Sequence, residues 1–161
     1  MKRKQKIRYW AILFLLVIVA AAAAFFREKP MIKQDNNPQI TFISATFEKD
    51  GSTYDADIPG EEIPQQLNDA LTSLFLEAKI RNRFFLPPQN YTVSENSVYF
   101  TIKVSLEQAD TLSMLVNLCN LPSYNSAQFG DTHYHISGQE ELYEKVYDLL
   151  EDTISVYAVK R

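Results

Sequence analysis

Residues 9–26, YWAILFLLVIVAAAAAFF, form a run of 18 residues without a charge, a glycine or a proline. No other feature of the chain restricts its fold so strongly. As an α-helix rising about 1.5 Å per residue the run is roughly 27 Å long, close to the ~30 Å hydrocarbon core of a bilayer. A soluble helix of that length normally keeps one polar face, and this one has none. The sequence therefore predicts a transmembrane helix opening at Tyr9 and closing at Phe26, with the lipid bilayer as its partner.

The flanking charges supply an orientation. Lys2, Arg3, Lys4, Lys6 and Arg8 precede the run without an acid among them, whereas Arg27 and Lys29 follow it with Glu28 between them. The positive-inside tendency then keeps residues 1–8 in the cytoplasm and carries the rest of the chain across. The expectation is a single-pass signal anchor in the cell membrane with an extracytoplasmic domain. A cleaved secretory signal is the competing reading, with Ala20–Ala24 as an A-x-A-like site. The continuation of the apolar run through Phe25 and Phe26 favours the uncleaved anchor.

Behind the run the charge reverses. After Phe26 the chain carries 11 basic and 20 acidic side chains, a net charge of −9. A domain of that charge is repelled by phosphate backbones, so nucleic acid is excluded as a partner. Cys119 is the sole cysteine, so no intrachain disulfide exists, and it reads as a small buried apolar residue.

Residues 27–39, REKPMIKQDNNPQ, contain two prolines and no apolar period, which reads as a polar tether. Residues 40–161 read as an α+β domain of three strand–strand–helix units. In the first, strands over 40–47 and 53–58 flank a turn with Asp50-Gly51 at its centre. A helix then starts near Glu61, with Ile63, Leu67, Ala70, Leu71, Leu74, Phe75 and Ala78 on one face. The second unit has a short strand at Tyr91 and Val93, a turn over 94–97 and a strand over 98–104. Ser105-Leu106-Glu107-Gln108 fits a helix-capping pattern, followed by a helix burying Leu112, Leu115, Val116 and Cys119. The third has strands over 124–129 and 132–136, then a helix with Leu142, Val146, Leu149, Leu150 and Ile154 at helical spacing. Three such units imply one antiparallel sheet with helices on a face.

In the order of its elements the second unit, continued through Leu121-Pro122, resembles small exported domains of spore-forming bacteria. The resemblance is one of pattern over part of the domain, without a diagnostic motif, and it implies no role for any residue.

One constellation has ligand chemistry. In a strand over 132–136, Asp131, His133 and His135 project to one side, and two imidazoles with a carboxylate are reasonable zinc ligands. Set against this, Tyr134 and Ile136 facing the core while the histidines face water explains the alternation without any metal, and no fourth ligand can be named, so that reading is preferred. Asp50, Asp55 and Asp57 lack the spacing of a calcium loop and read as a solvated hairpin face. Lys79, Arg81 and Arg83, followed by Phe84 and Phe85, read either as an anion-facing patch or as cations ending a helix. Asn90-Tyr91-Thr92 is a glycosylation sequon. No motif calls for a cofactor and no nucleophile–base arrangement is present. The function expected is a non-enzymatic binding module of the cell envelope with a protein or envelope partner. The alternative is a metal-dependent enzyme or metal sensor using the His133/His135 hairpin.

Overall fold

The computed structural model describes residues 2–83, 98–106 and 113–161, with side chains from residue 9 onward except Gln34. The expected strand at Tyr91 and Val93, the turn at 94–97, Phe84, Phe85, the 90–92 sequon, the capping residues Glu107 and Gln108, and Leu112 of the expected second helix lie outside them. Among the described residues the chain is an α+β fold of nine strands and three α-helices. In chain order these are α1 (Lys2–Phe25), β1 (Lys29–Pro30), β2 (Pro38–Lys49), β3 (Ser52–Pro59), α2 (Gln65–Glu77), β4 (Lys79–Asn82), β5 (Val98–Leu106), β6 (Ser113–Leu118), β7 (Ser126–Phe129), β8 (Thr132–Ser137), α3 (Gln139–Tyr157) and β9 (Ala158–Lys160).

All nine strands form one antiparallel sheet in the order β1-β4-β8-β7-β6-β5-β2-β3-β9. The β2–β3 hairpin closes through two residues in the left-handed region, Asp50 (φ 52°) and Gly51 (φ 67°). That is the geometry in which Asp-Gly matches the twist of its flanking strands. β5 alternates strictly: Val98, Phe100, Ile102, Val104 and Leu106 are buried, while Lys103 and Ser105 are exposed. Each second residue of a pleated strand points to the same side, and the register carries the alternation across the sheet. Ile43, Ile58, Phe100, Ile102, Met114, Val116, Leu118, Ala127 and Ile136 are each 0% exposed. Leu71 and Phe75 of α2 cover this face, together with Leu142, Val146, Leu150 and Ile154 of α3. The opposite face carries polar side chains linked across strands. Thr46 Oγ1 donates to Asp55 Oδ1 at 2.8 Å, and Thr101 Oγ1 donates to Asn117 Oδ1 at 3.0 Å.

The first and third units match the strand–strand–helix expectation. The second does not: residues 113–118, expected on a helix, form β6 between β5 and β7. Met114, Val116 and Leu118 alternate with half-buried Ser113, Leu115 and Asn117. The apolar spacing admits both periods, and the free hydrogen-bonding edges of β5 and β7 select the strand. Cys119 is buried, as expected, but just past the end of a strand.

The stretch read as a tether is docked. β1 pairs with β4, the Met31 amide donates to the Ala78 carbonyl at 2.8 Å, and Met31 and Ile32 are buried in the core. Only two apolar side chains are involved, too few to produce a sequence period.

The largest correction concerns residues 9–26. They do form a helix, but among the described residues no helix is long and apolar enough to cross a membrane. α1 ends at Phe25 and Phe26 lies in a turn. The apolar helical stretch with described side chains, 9–25, is about 25 Å long, at the short limit for a ~30 Å hydrocarbon core. The lack of a spanning helix among the described residues overturns the transmembrane part of the expected fold. The single-pass signal anchor, the cell-membrane placement, the cytoplasmic N-terminus and the extracytoplasmic side assigned to the domain fall with it, since each depended on a crossing.

Candidate functional site

Two regions hold unusual groupings of side chains: α1, and the corner of the sheet where β4 meets β8.

Along α1, Ile12, Leu13, Phe14, Leu15, Leu16, Val17, Ile18 and Val19 are all between 48% and 68% exposed. Eight consecutive residues cover more than two helical turns, so over this stretch no side of the helix is packed against the domain. The core begins only at Met31. Tyr9 and Trp10, at 73% and 70%, extend the same surface.

At the corner, the expectation that Lys79, Arg81 and Arg83 end a helix is replaced by strand geometry. α2 stops at Glu77, and β4 begins at Lys79 because Ile80 pairs with Ile136 of β8 and is buried with it. Lys79 and Arg81, one residue to either side of Ile80, are exposed. Arg81 is the register partner of His135. Arg83 lies just beyond β4 and reaches across to the segment before β7. Its Nη1 donates to the Asn125 carbonyl at 3.0 Å and its Nη2 to the Ser123 carbonyl at 2.6 Å. Partial burial lowers the Arg83 pKa from its ordinary value, but a guanidinium starting so high stays charged.

His133 and His135 project to the same face of β8, as their spacing requires. His133 pairs with Gln128 and is half-buried, and its Nδ1 is buried without a hydrogen-bond partner. His135 has its pKa lowered, first by desolvation and then by the positive charges of Arg81 and Arg83. Asp131 is exposed in the turn between β7 and β8. Among the described residues no three or more His, Cys, Asp or Glu side chains are grouped so as to hold a metal ion. The neighbours that the fold brings to His135 are cations.

The acidic hairpin is dispersed. Asp55 accepts from Thr46 and pairs with Arg161 at 3.0 Å, Asp57 is exposed, and Asp50 occupies the turn. Beside this hairpin a groove of about 640 Å³ lies between β2, β3 and the end of α3. The stacked rings of Phe47 and Tyr54, 5.6 Å apart, line it with Tyr147 and Glu151. Burial is the main cause raising the Tyr147 pKa, followed by its hydrogen bond to Glu151. Sequence reasoning missed this groove because its walls come from segments about a hundred residues apart.

No protein-family model matches the chain, and no curated protein or solved structure is significantly similar to it.

Proposed function

We propose that this chain is a binding module rather than an enzyme, attached to lipid acyl chains through α1 and presenting its nine-stranded domain to a protein partner. The proposal is one of lipid contact; it assigns no span, orientation or compartment. The observation that carries it is the uniform exposure of Ile12 through Val19.

Water is a poor solvent for such a surface. Fully burying a Val, Leu, Ile or Phe side chain contributes about 1.5–3 kcal/mol. Eight side chains that are each about half exposed therefore gain on the order of 10 kcal/mol from an apolar surrounding. The domain does not provide that surrounding, because its own core is closed by α2 and α3. A helix with no polar side needs apolar contact all round, which acyl chains supply and a single protein groove does not.

Flotation with phosphatidylcholine vesicles tests the proposal. The wild-type chain is expected to rise with the vesicles. An Ile12→Ser, Leu15→Ser, Val19→Ser variant is expected to stay in the dense fraction with the domain's circular dichroism unchanged. A wild-type chain that stays behind as a soluble species refutes it.

A further inference from the structure

We propose that the β1–β4 corner of the sheet is a docking surface for anionic lipid headgroups, set where α1 joins the domain. The inference rests on the lipid reading of α1 and adds a second contact to it.

Connectivity sets the distance. α1 ends at Phe25 and β1 begins at Lys29, so three residues separate them, and the four steps between those two ends reach at most about 14 Å. β1 is held against β4 by the pairs Lys29↔Ile80 and Pro30↔Lys79, and by the Met31 amide on the Ala78 carbonyl. When α1 is immersed in acyl chains, this corner is the part of the domain kept beside the headgroups.

Charge is segregated to the same place. Residues 27–30 and 77–83 carry Arg27, Lys29, Lys79, Arg81 and Arg83 against Glu28 and Glu77. The remainder of the chain after Phe26 carries six basic and 18 acidic side chains. The corner is therefore net +3 and the rest of the domain net −12. Arg27, Lys29, Lys79 and Arg81 are exposed. Among the described residues the ion pairs lie elsewhere, between Lys145 and Glu141 and between Arg161 and Asp55. Arg83 is held by two carbonyls, which fix its position without cancelling its charge. His135 senses that field, since Arg81 and Arg83 both disfavour its protonation.

An anionic surface attracts each nearby basic side chain by enough to strengthen binding about fivefold, within a Debye length. An acidic domain gains from turning this corner toward such a surface and its other faces away. Loss of both Lys79 and Arg81 then weakens the contact by on the order of twentyfold.

The test uses the full chain in nanodiscs of phosphatidylcholine alone or mixed with phosphatidylglycerol, each doped with a headgroup-spin-labelled lipid. Paramagnetic broadening of backbone amides is read at β4 and, on the opposite sheet edge, at β9. Several-fold greater broadening at β4 in the anionic discs, with β9 unaffected, is the expected result. In a Lys79→Gln, Arg81→Gln variant, whose amide spectrum elsewhere shows it folded, the excess is expected to vanish.

Equal broadening of β4 in the two discs overturns the proposal while leaving the lipid reading of α1 intact. Inorganic phosphate that perturbs β4 as strongly in neutral discs overturns the lipid source in favour of a free anion. Perturbation of β4 that grows with protein concentration in neutral discs overturns it in favour of an acidic face on a second copy. A chain that enters neither disc overturns the reading of α1 and this inference together.

Discussion

Ile32→Ala decides whether residues 27–39 belong to the domain. Ile32 is 2% exposed and belongs to the hydrophobic core, two residues after β1. Truncation to alanine removes three carbons, worth about 0.8 kcal/mol each in transfer, and leaves a cavity in the core. Ile→Ala changes at such sites cost about 2–5 kcal/mol, and a value near 3 kcal/mol fits a side chain anchored from one flank. With a urea m-value of about 2 kcal/mol/M, the midpoint should fall by about 1.5 M with m unchanged. Ile12→Ala is the control. It makes the same chemical change at a side chain that is 56% exposed and outside the core, so its effect should stay within about 0.5 kcal/mol. Trp10, the sole tryptophan, lies on α1, so unfolding of the domain is better followed by near-ultraviolet circular dichroism. Tyr143 and Tyr147 pack against Phe100 and report on that core. An Ile32→Ala midpoint indistinguishable from wild type would mean that the segment is a tether after all and that its docking contributes nothing.

Gly60→Ala should cost about 1–3 kcal/mol. The added Cβ would meet the Thr41 carbonyl oxygen at 2.8 Å and its Cα at 3.0 Å, at the irregularity between Ile40 and Phe42; an unchanged melting temperature would disprove the close approach. The His135 pKa is depressed below the ordinary 6.5, so between these values the unfolded chain binds more protons than the folded one. The resulting stability is complete above 6.5 and is lost as pH falls through the folded value. Arg81→Gln should raise the His135 pKa and shallow that loss, read from the imidazole proton shifts, and an unmoved titration would show that Arg81 exerts no field there. Cys119, 1% exposed with its thiol against the Leu121 carbonyl, should react with a thiol reagent only as the domain opens; rapid stoichiometric labelling of the native chain would contradict its burial.

Much of the domain was legible because local physics and tertiary structure agree. Asp50-Gly51 specifies a tight hairpin wherever it stands, since its backbone preference comes from the two residues alone. β5 was readable from Val98, Phe100, Ile102 and Val104, whose strict alternation suits only a sheet with one buried face. α2 and α3 carry apolar stripes that a strand would split between two faces. The histidine pair was placed on one face by strand period alone.

Residues 113–118 mark where that agreement ends. Met114, Val116 and Leu118 make an acceptable fragment of either period, and the vacancy between β5 and β7 decides for the strand. The neighbours of His135 show the same dependence. Its own sequence offers Asp131 and His133, whereas pairing with β4 sets Arg81 beside it, with Arg83 just beyond that strand. The apolar character of residues 9–26 is a property of composition and needed no fold to be seen. That the helix stops at Phe25 and the chain enters β1 at Lys29 is not contained in that composition. Sequence by itself determined which surfaces must leave water; the tertiary structure determined which partners within the chain they find, because hydrogen-bonded pairing joins residues that no local period connects.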